Sequence, residues 1–222
     1  MTSAPGGIRL ALGSSVRCQG GARRELADIV VDSGERRVTH LVVQPPDRPA
    51  DARLVPVEVV ETATNEGEVV LRCTEADLEQ MERVHEFAFL APGERPADQA
   101  GWDVGVEDLY VTPQYGGGSV FGEYGGGLDP NVGVAYDRVP RGEVELRNSS
   151  GVFTADEHHV GRVRGVVVDP TARIAAVLLE RGHLWWRREI QVPAALLSGI
   201  GNDTVTLRAP KSELDSLPSA RI

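Results

Sequence analysis

The feature that most constrains this chain is that it contains itself twice. Gly6-Gly7-Ile8-Arg9-Leu10, followed by Ser15-Val16-Arg17-Cys18, returns as Gly142-Glu143-Val144-Glu145-Leu146, followed by Gly151-Val152-Phe153-Thr154. Leu26-Ala27-Asp28-Ile29-Val30-Val31-Asp32 falls on Val163-Arg164-Gly165-Val166-Val167-Val168-Asp169, and Val38 to Val43 falls on Ile174 to Leu179. Leu54-Val55-Pro56 meets Gln191-Val192-Pro193, Val70-Leu71-Arg72 meets Thr206-Leu207-Arg208, and Asp77-Leu78 meets Glu213-Leu214. The offset stays at 136 or 137 residues throughout. A register held that long is a duplication, and each copy is one supersecondary unit. The copies span 6–84 and 142–222, with 85–141 between them.

Within each copy the apolar segments are short, β-branched and bounded by turn residues, which is the pattern of antiparallel strands. Asp32-Ser33-Gly34-Glu35 and Asp169-Pro170-Thr171-Ala172 sit at hairpin distance between two such segments and predict turns. Pro56 and Pro193 lack a donor and suit a strand edge or the start of a short turn. After Thr74 the period changes: Leu78, Met81 and Val84 are three apart, so one or two helical turns are predicted, capped by Thr74 against Asp77. Ser212, Leu214 and Leu217 repeat this in the second copy, where Pro218 stops the helix. Val43, Leu54, Val177, Leu179 and Ile190 are expected in the core or in contacts between the copies.

This pattern resembles the PRC-barrel domain. Its elements are an opening strand, a Gly-x-Val ahead of a Val-Val-Asp strand, a turn, the Val38–Val43 strand, the Leu-Val-Pro strand, and a closing Val-x-Leu-Arg before a short helix. The second copy supplies the glycine as Gly161-Arg162-Val163; the first has Arg24-Glu25-Leu26 there. The resemblance implies an all-β chain of two small SH3-like antiparallel barrels in tandem, each with a short C-terminal helical turn. Barrels of this family occur in the cytoplasmic part of the photosynthetic reaction-centre H subunit and in the C-terminal half of a ribosome maturation factor. A barrel of about 70 residues buries only roughly 60% of its unfolded surface. Packing of the two barrels against each other, or homodimerisation, is therefore expected.

The intervening 85–141 is rich in glycine and proline, with Tyr115-Gly116-Gly117-Gly118 and Tyr124-Gly125-Gly126-Gly127. It also holds most of the aromatic residues, and disordered linkers are poor in those. Trp102 and Tyr110, in apolar surroundings, are expected to dock on a barrel while the glycine stretches stay loose. Charge divides the same way. The first copy carries −4, the linker −6 and the second copy 0, which together make the −10 of the chain. That balance does not fit a general nucleic-acid binder, which needs Lys and Arg to displace phosphate counterions. Of the 23 basic residues only Lys211 is lysine, a coding bias pointing to a high-GC bacterium.

Chemistry-bearing motifs are few. Gly116-Gly117-Gly118-Ser119-Val120-Phe121 is neither G-x-G-x-x-G nor G-x-S-x-G, because Phe121 stands at the last glycine, and no phosphate-binding loop is present. His158-His159 would point to opposite faces of a strand, so surface residues are expected rather than a metal site. Cys18 and Cys73 fall on the first and last strands of one copy and are expected near each other, as reduced buried thiols or as a redox pair. The segment Gly182-His183-Leu184-Trp185-Trp186-Arg187-Arg188 combines the residue types that dominate binding hot spots. His183, Trp185, Trp186, Arg187 and Arg188 are the candidate partner-binding residues. The expectation is a non-enzymatic protein-binding scaffold or adaptor with no cofactor and no metal. The family resemblance adds two alternatives: a peripheral accessory of a membrane or electron-transfer complex, and, more weakly, a ribosome-associated factor. No apolar run spans a bilayer and Met1–Gly7 lacks signal-peptide character, so a cytoplasmic location is expected.

Overall fold

The first copy's apolar segments become β1 (Ile8–Ala11), β2 (Ser15–Gln19), β3 (Arg23–Asp32), β4 (Arg37–Gln44), β5 (Arg53–Pro56), β6 (Val60–Ala63) and β7 (Val69–Thr74), followed by α1 (Glu75–Gln80). The second gives β11 (Glu143–Leu146), β12 (Gly151–Phe153), β13 (His159–Val168), β14 (Ile174–Arg181), β15 (Arg188–Pro193), β16 (Leu197–Gly201) and β17 (Thr204–Leu207), then α2 (Lys211–Leu214) and β18 (Ser219–Arg221). Between them lie β8 (His85–Leu90), β9 (Trp102–Asp108) and β10 (Val132–Pro140). This is a computed structural model describing residues 7–64, 67–90, 101–108, 132–182 and 188–221. The protein is mostly β-strand with two short helices among the described residues.

The duplication is a duplication of pairing. The first sheet runs β5-β4-β3-β2-β7-β6, and the second runs β15-β14-β13-β12-β17-β16 with β18 added beyond β15. In both, the β2–β7 type of pair is parallel and the others are antiparallel. Pro56 and Pro193 end a strand and lead into the 3-10 turns Val57–Val59 and Ala194–Leu196, which join the two ends of each strand order and curl the sheet. Asp32 and Asp169 each accept backbone N–H groups across the predicted turns, from Gly34 and Glu35 and from Thr171 and Arg173. Thr74 and Asp77 form a reciprocal capping box at the start of α1.

The small drift in the offset also has a structural cause. The β2–β3 ladder runs without interruption through Val16↔Arg24 and Arg17↔Arg23. The equivalent ladder pairs Val152 with Gly161 but Phe153 with His159, so Val160 is an extra residue held in a bulge. Gly161 takes φ +151° there, and a Cβ would stand 2.2 Å from the Glu180 carbonyl oxygen. Arg24, in the uninterrupted strand, needs no such backbone. That is why the first copy dispenses with the glycine that the second copy has there.

The sheets do not coincide with the sequence copies. β1 pairs with β13 of the second sheet, and β11 pairs with β3 of the first. The two exchanged ladders have the same register: Ile8↔Val168, Arg9↔Val167 and Leu10↔Val166 correspond to Val144↔Val31, Glu145↔Val30 and Leu146↔Ile29. The hairpin tips reciprocate as well, with Val38 N–H donating to the Ala172 carbonyl and Ile174 N–H to the Arg36 carbonyl, both at 2.9 Å. The halves are thus related by a pseudo-dyad and trade their opening strands. Apolar side chains from both, including Val43, Val177, Leu179 and Ile190, form one continuous core.

Candidate functional site

Three groupings of chemistry-bearing side chains emerge from this frame. The first is the base of the Trp-Arg segment. His183, Trp185, Trp186 and Arg187 lie outside the described residues, as does Tyr110. Arg188 opens β15 and is exposed. It stands opposite Arg181 on β14 and opposite Arg221 on β18, so three arginines share one register row. Arg181 is held by Asp215 at 2.6 Å. The adjoining row sets Glu180 opposite Glu189, and cations meet both carboxylates. Arg9, arriving on the exchanged β1, grips Glu189 through two hydrogen bonds of 2.7 and 2.6 Å, and Arg164 lies 4.0 Å from Glu180. Arg221 comes from a segment distant in sequence, and only the pairing of β18 with β15 reveals the row.

The second is a strap over the first sheet. β8, β10 and β9 form a three-stranded sheet, and Val84, Val139 and Trp102 cover the outer face of Val30, Val42 and Leu54. The Arg138 guanidinium sits 4.8 Å from the Trp102 ring centroid, a cation–π contact. Glu86 lies 3.3 Å from the same guanidinium. Under the strap Asp137 is buried between His85 Nδ1 and the guanidinium of Arg147, which donates to Asp137 Oδ2. The wholly buried Glu145 lies 3.6 Å from Arg147 Nη2. Its backbone N–H donates to Asn202 Oδ1 and its carbonyl accepts from Asp203 N–H, tying β11 to the second sheet as well. Sequence reasoning missed this network. Glu143 and Glu145 alternate with Val144 and Leu146, which reads as a solvent-facing edge. Glu145 instead sits beside Val30 on the face that the strap covers. Breaking one partner of such a buried pair is costly, so the network fixes where the strap lies.

The third is the cysteine pair. Cys18 on β2 and Cys73 on β7 are free, buried and 3.6 Å apart at sulfur. Burial, reinforced by Cys73 and by the Glu75 carboxylate, pushes the Cys18 thiol up to about 12. The adjacent histidines His158 and His159 part company. His158 lies 3.2 Å from Asp156, and the His159 ring tilts against Phe153 at 5.2 Å. No group of three metal-ligating side chains converges among the described residues. Nor, among them, is any helix long and apolar enough to cross a membrane.

Neither a family model nor a curated protein matches this chain.

Proposed function

We propose that this protein is a non-enzymatic adaptor, built from a duplicated PRC-type barrel, that captures an acidic segment of a protein partner at the Trp-Arg end of its second sheet. The observation that carries this reading is the register row Arg181–Arg188–Arg221. Like charges directly opposite one another on neighbouring strands are destabilising, and Asp215 answers Arg181. A carboxylate-bearing partner would relieve the row, and the planar guanidinium fork donates two parallel hydrogen bonds to a carboxylate. The sequence Trp185-Trp186-Arg187, which joins the two strands of this row, adds hot-spot residue types at the same place.

Affinity capture from the native host with the full chain, Trp186→Ala and Arg188→Glu tests this. One specific protein should be enriched by the full chain and lost with either variant, and its binding should weaken with salt. Capture that is unchanged in both variants overturns the site.

A further inference from the structure

We propose that Cys18 and Cys73 form a dithiol–disulfide couple, oxidised by a hydroperoxide, that fastens β2 to β7 in the first sheet only. These strands are the parallel pair within the curled sheet. Their ladder slips between Arg17↔Val70 and Gln19↔Thr74, so Cys18 stands across from the extra residues of β7, and the slip brings Cys73 to it. The sulfurs are already in contact at 3.6 Å, and side-chain rotation is the main movement a bond requires. The corresponding positions of the second half are Thr154 and Ala209. The couple is therefore an addition to one copy and not a demand of the fold.

A carboxylate is built beside it. Glu75, the first residue of α1, is bound through Oε1 to Arg24, and its Oε2 is buried without a hydrogen-bond partner among the described residues. Gly21 leaves room for this carboxylate: a Cβ there would stand 2.4 Å from Glu75 Oε2 and 3.2 Å from Cys18 Cβ. Burial at 2% and 7% exposure shuts out bulky disulfide oxidants and favours a small peroxide. Cys18 loses its proton to hydroxide from bulk water, and the thiolate attacks the terminal peroxide oxygen. The O–O bond breaks, the leaving oxygen takes a proton from water, and a sulfenic acid on Cys18 and an alcohol or water result. Cys73 then gives up its proton, its sulfur attacks the Cys18 sulfur, and hydroxide leaves as water. Two thiols lose two electrons and the hydroperoxide gains them.

The groups facing Cys18 are Cys73 from β7, Glu75 from α1 and Arg24 from β3. With the thiol held this high, the rate should climb about tenfold for each step of one in pH between 7 and 10. The test treats the full chain with hydrogen peroxide, then denatures, alkylates and weighs it. The expected product is a monomer about 2 Da lighter with no alkylatable thiol, a higher Tm, and full reversal by dithiothreitol. Cys18→Thr with Cys73→Ala, which installs the second half's own residues, should fold and lose the oxidant response. Cys73→Ala alone should stop at an oxygen adduct on Cys18. Two intact thiols, oxygen adducts on both sulfurs, or cross-linked dimers in the natural chain overturn the proposal.

Discussion

Exchange of the opening strands makes the two halves a single cooperative body, and two leucines test it. Leu10 on β1 and Leu146 on β11 are pseudo-equivalent, wholly buried, and paired with Val166 and Ile29 of the opposite half. Both belong to the continuous core. Replacing a buried leucine by alanine removes the transfer free energy of its side chain and leaves a cavity, about 2–5 kcal/mol in all. Taking about 3 kcal/mol, and about 2–4 °C per kcal/mol for a chain of this size, each variant should melt about 6–12 °C lower. Differential scanning calorimetry separates the alternatives. Interlocked halves unfold in one transition, and Leu10→Ala and Leu146→Ala lower it by similar amounts. Independent barrels would give two transitions, each variant moving one and leaving the other. A split melt of that kind refutes the exchange, whatever the size of the shift.

Two further outcomes follow from particular positions. Gly165 has φ +149°, and a Cβ there would stand 2.1 Å from the Leu10 carbonyl oxygen, so Gly165→Ala should prise β1 from β13 and speed hydrogen exchange at the amides of residues 8–11 while leaving β11 protected. Asp77, Asp156 and Asp169 are held below the ordinary carboxylate range, chiefly by hydrogen bonds from Thr74, Thr154 and Thr171. A depressed folded-state pKa stabilises above the unfolded value and loses that contribution as pH falls through the folded one. Tm should therefore drop as pH falls below about 4, and Thr74→Ala should flatten that dependence; an unchanged slope would exclude the cap as a source.

Much of the architecture is written in the chain because it depends on neighbours in sequence. Alternating apolar residues, the Asp32 and Asp169 turns, the prolines before the 3-10 turns and the Thr74 cap each act over a few residues. The 136-residue offset transfers every such reading from one copy to the other. The cysteine contact was legible as well, since first and last strands of a small curled sheet lie together. Of the candidate binding residues in the Trp-Arg segment the structure describes only Arg188, and what it adds is the row that Arg188 joins.

The sequence by itself determined the strands, the turns, the Thr74 cap and the fact of two copies. Only the tertiary structure decided which strand pairs with which copy. β1 and β11 have equivalent patterns, and either sheet offers either strand the same register, so periodicity contains no information about the choice. The charge network under the strap was decided at the same level. A glutamate alternating with valine reads as exposed until another strand is laid over it. Asp137, Arg147 and Glu145 acquire their meaning from that covering, because a charge that is cheap in water is tolerated in the interior only beside its opposite.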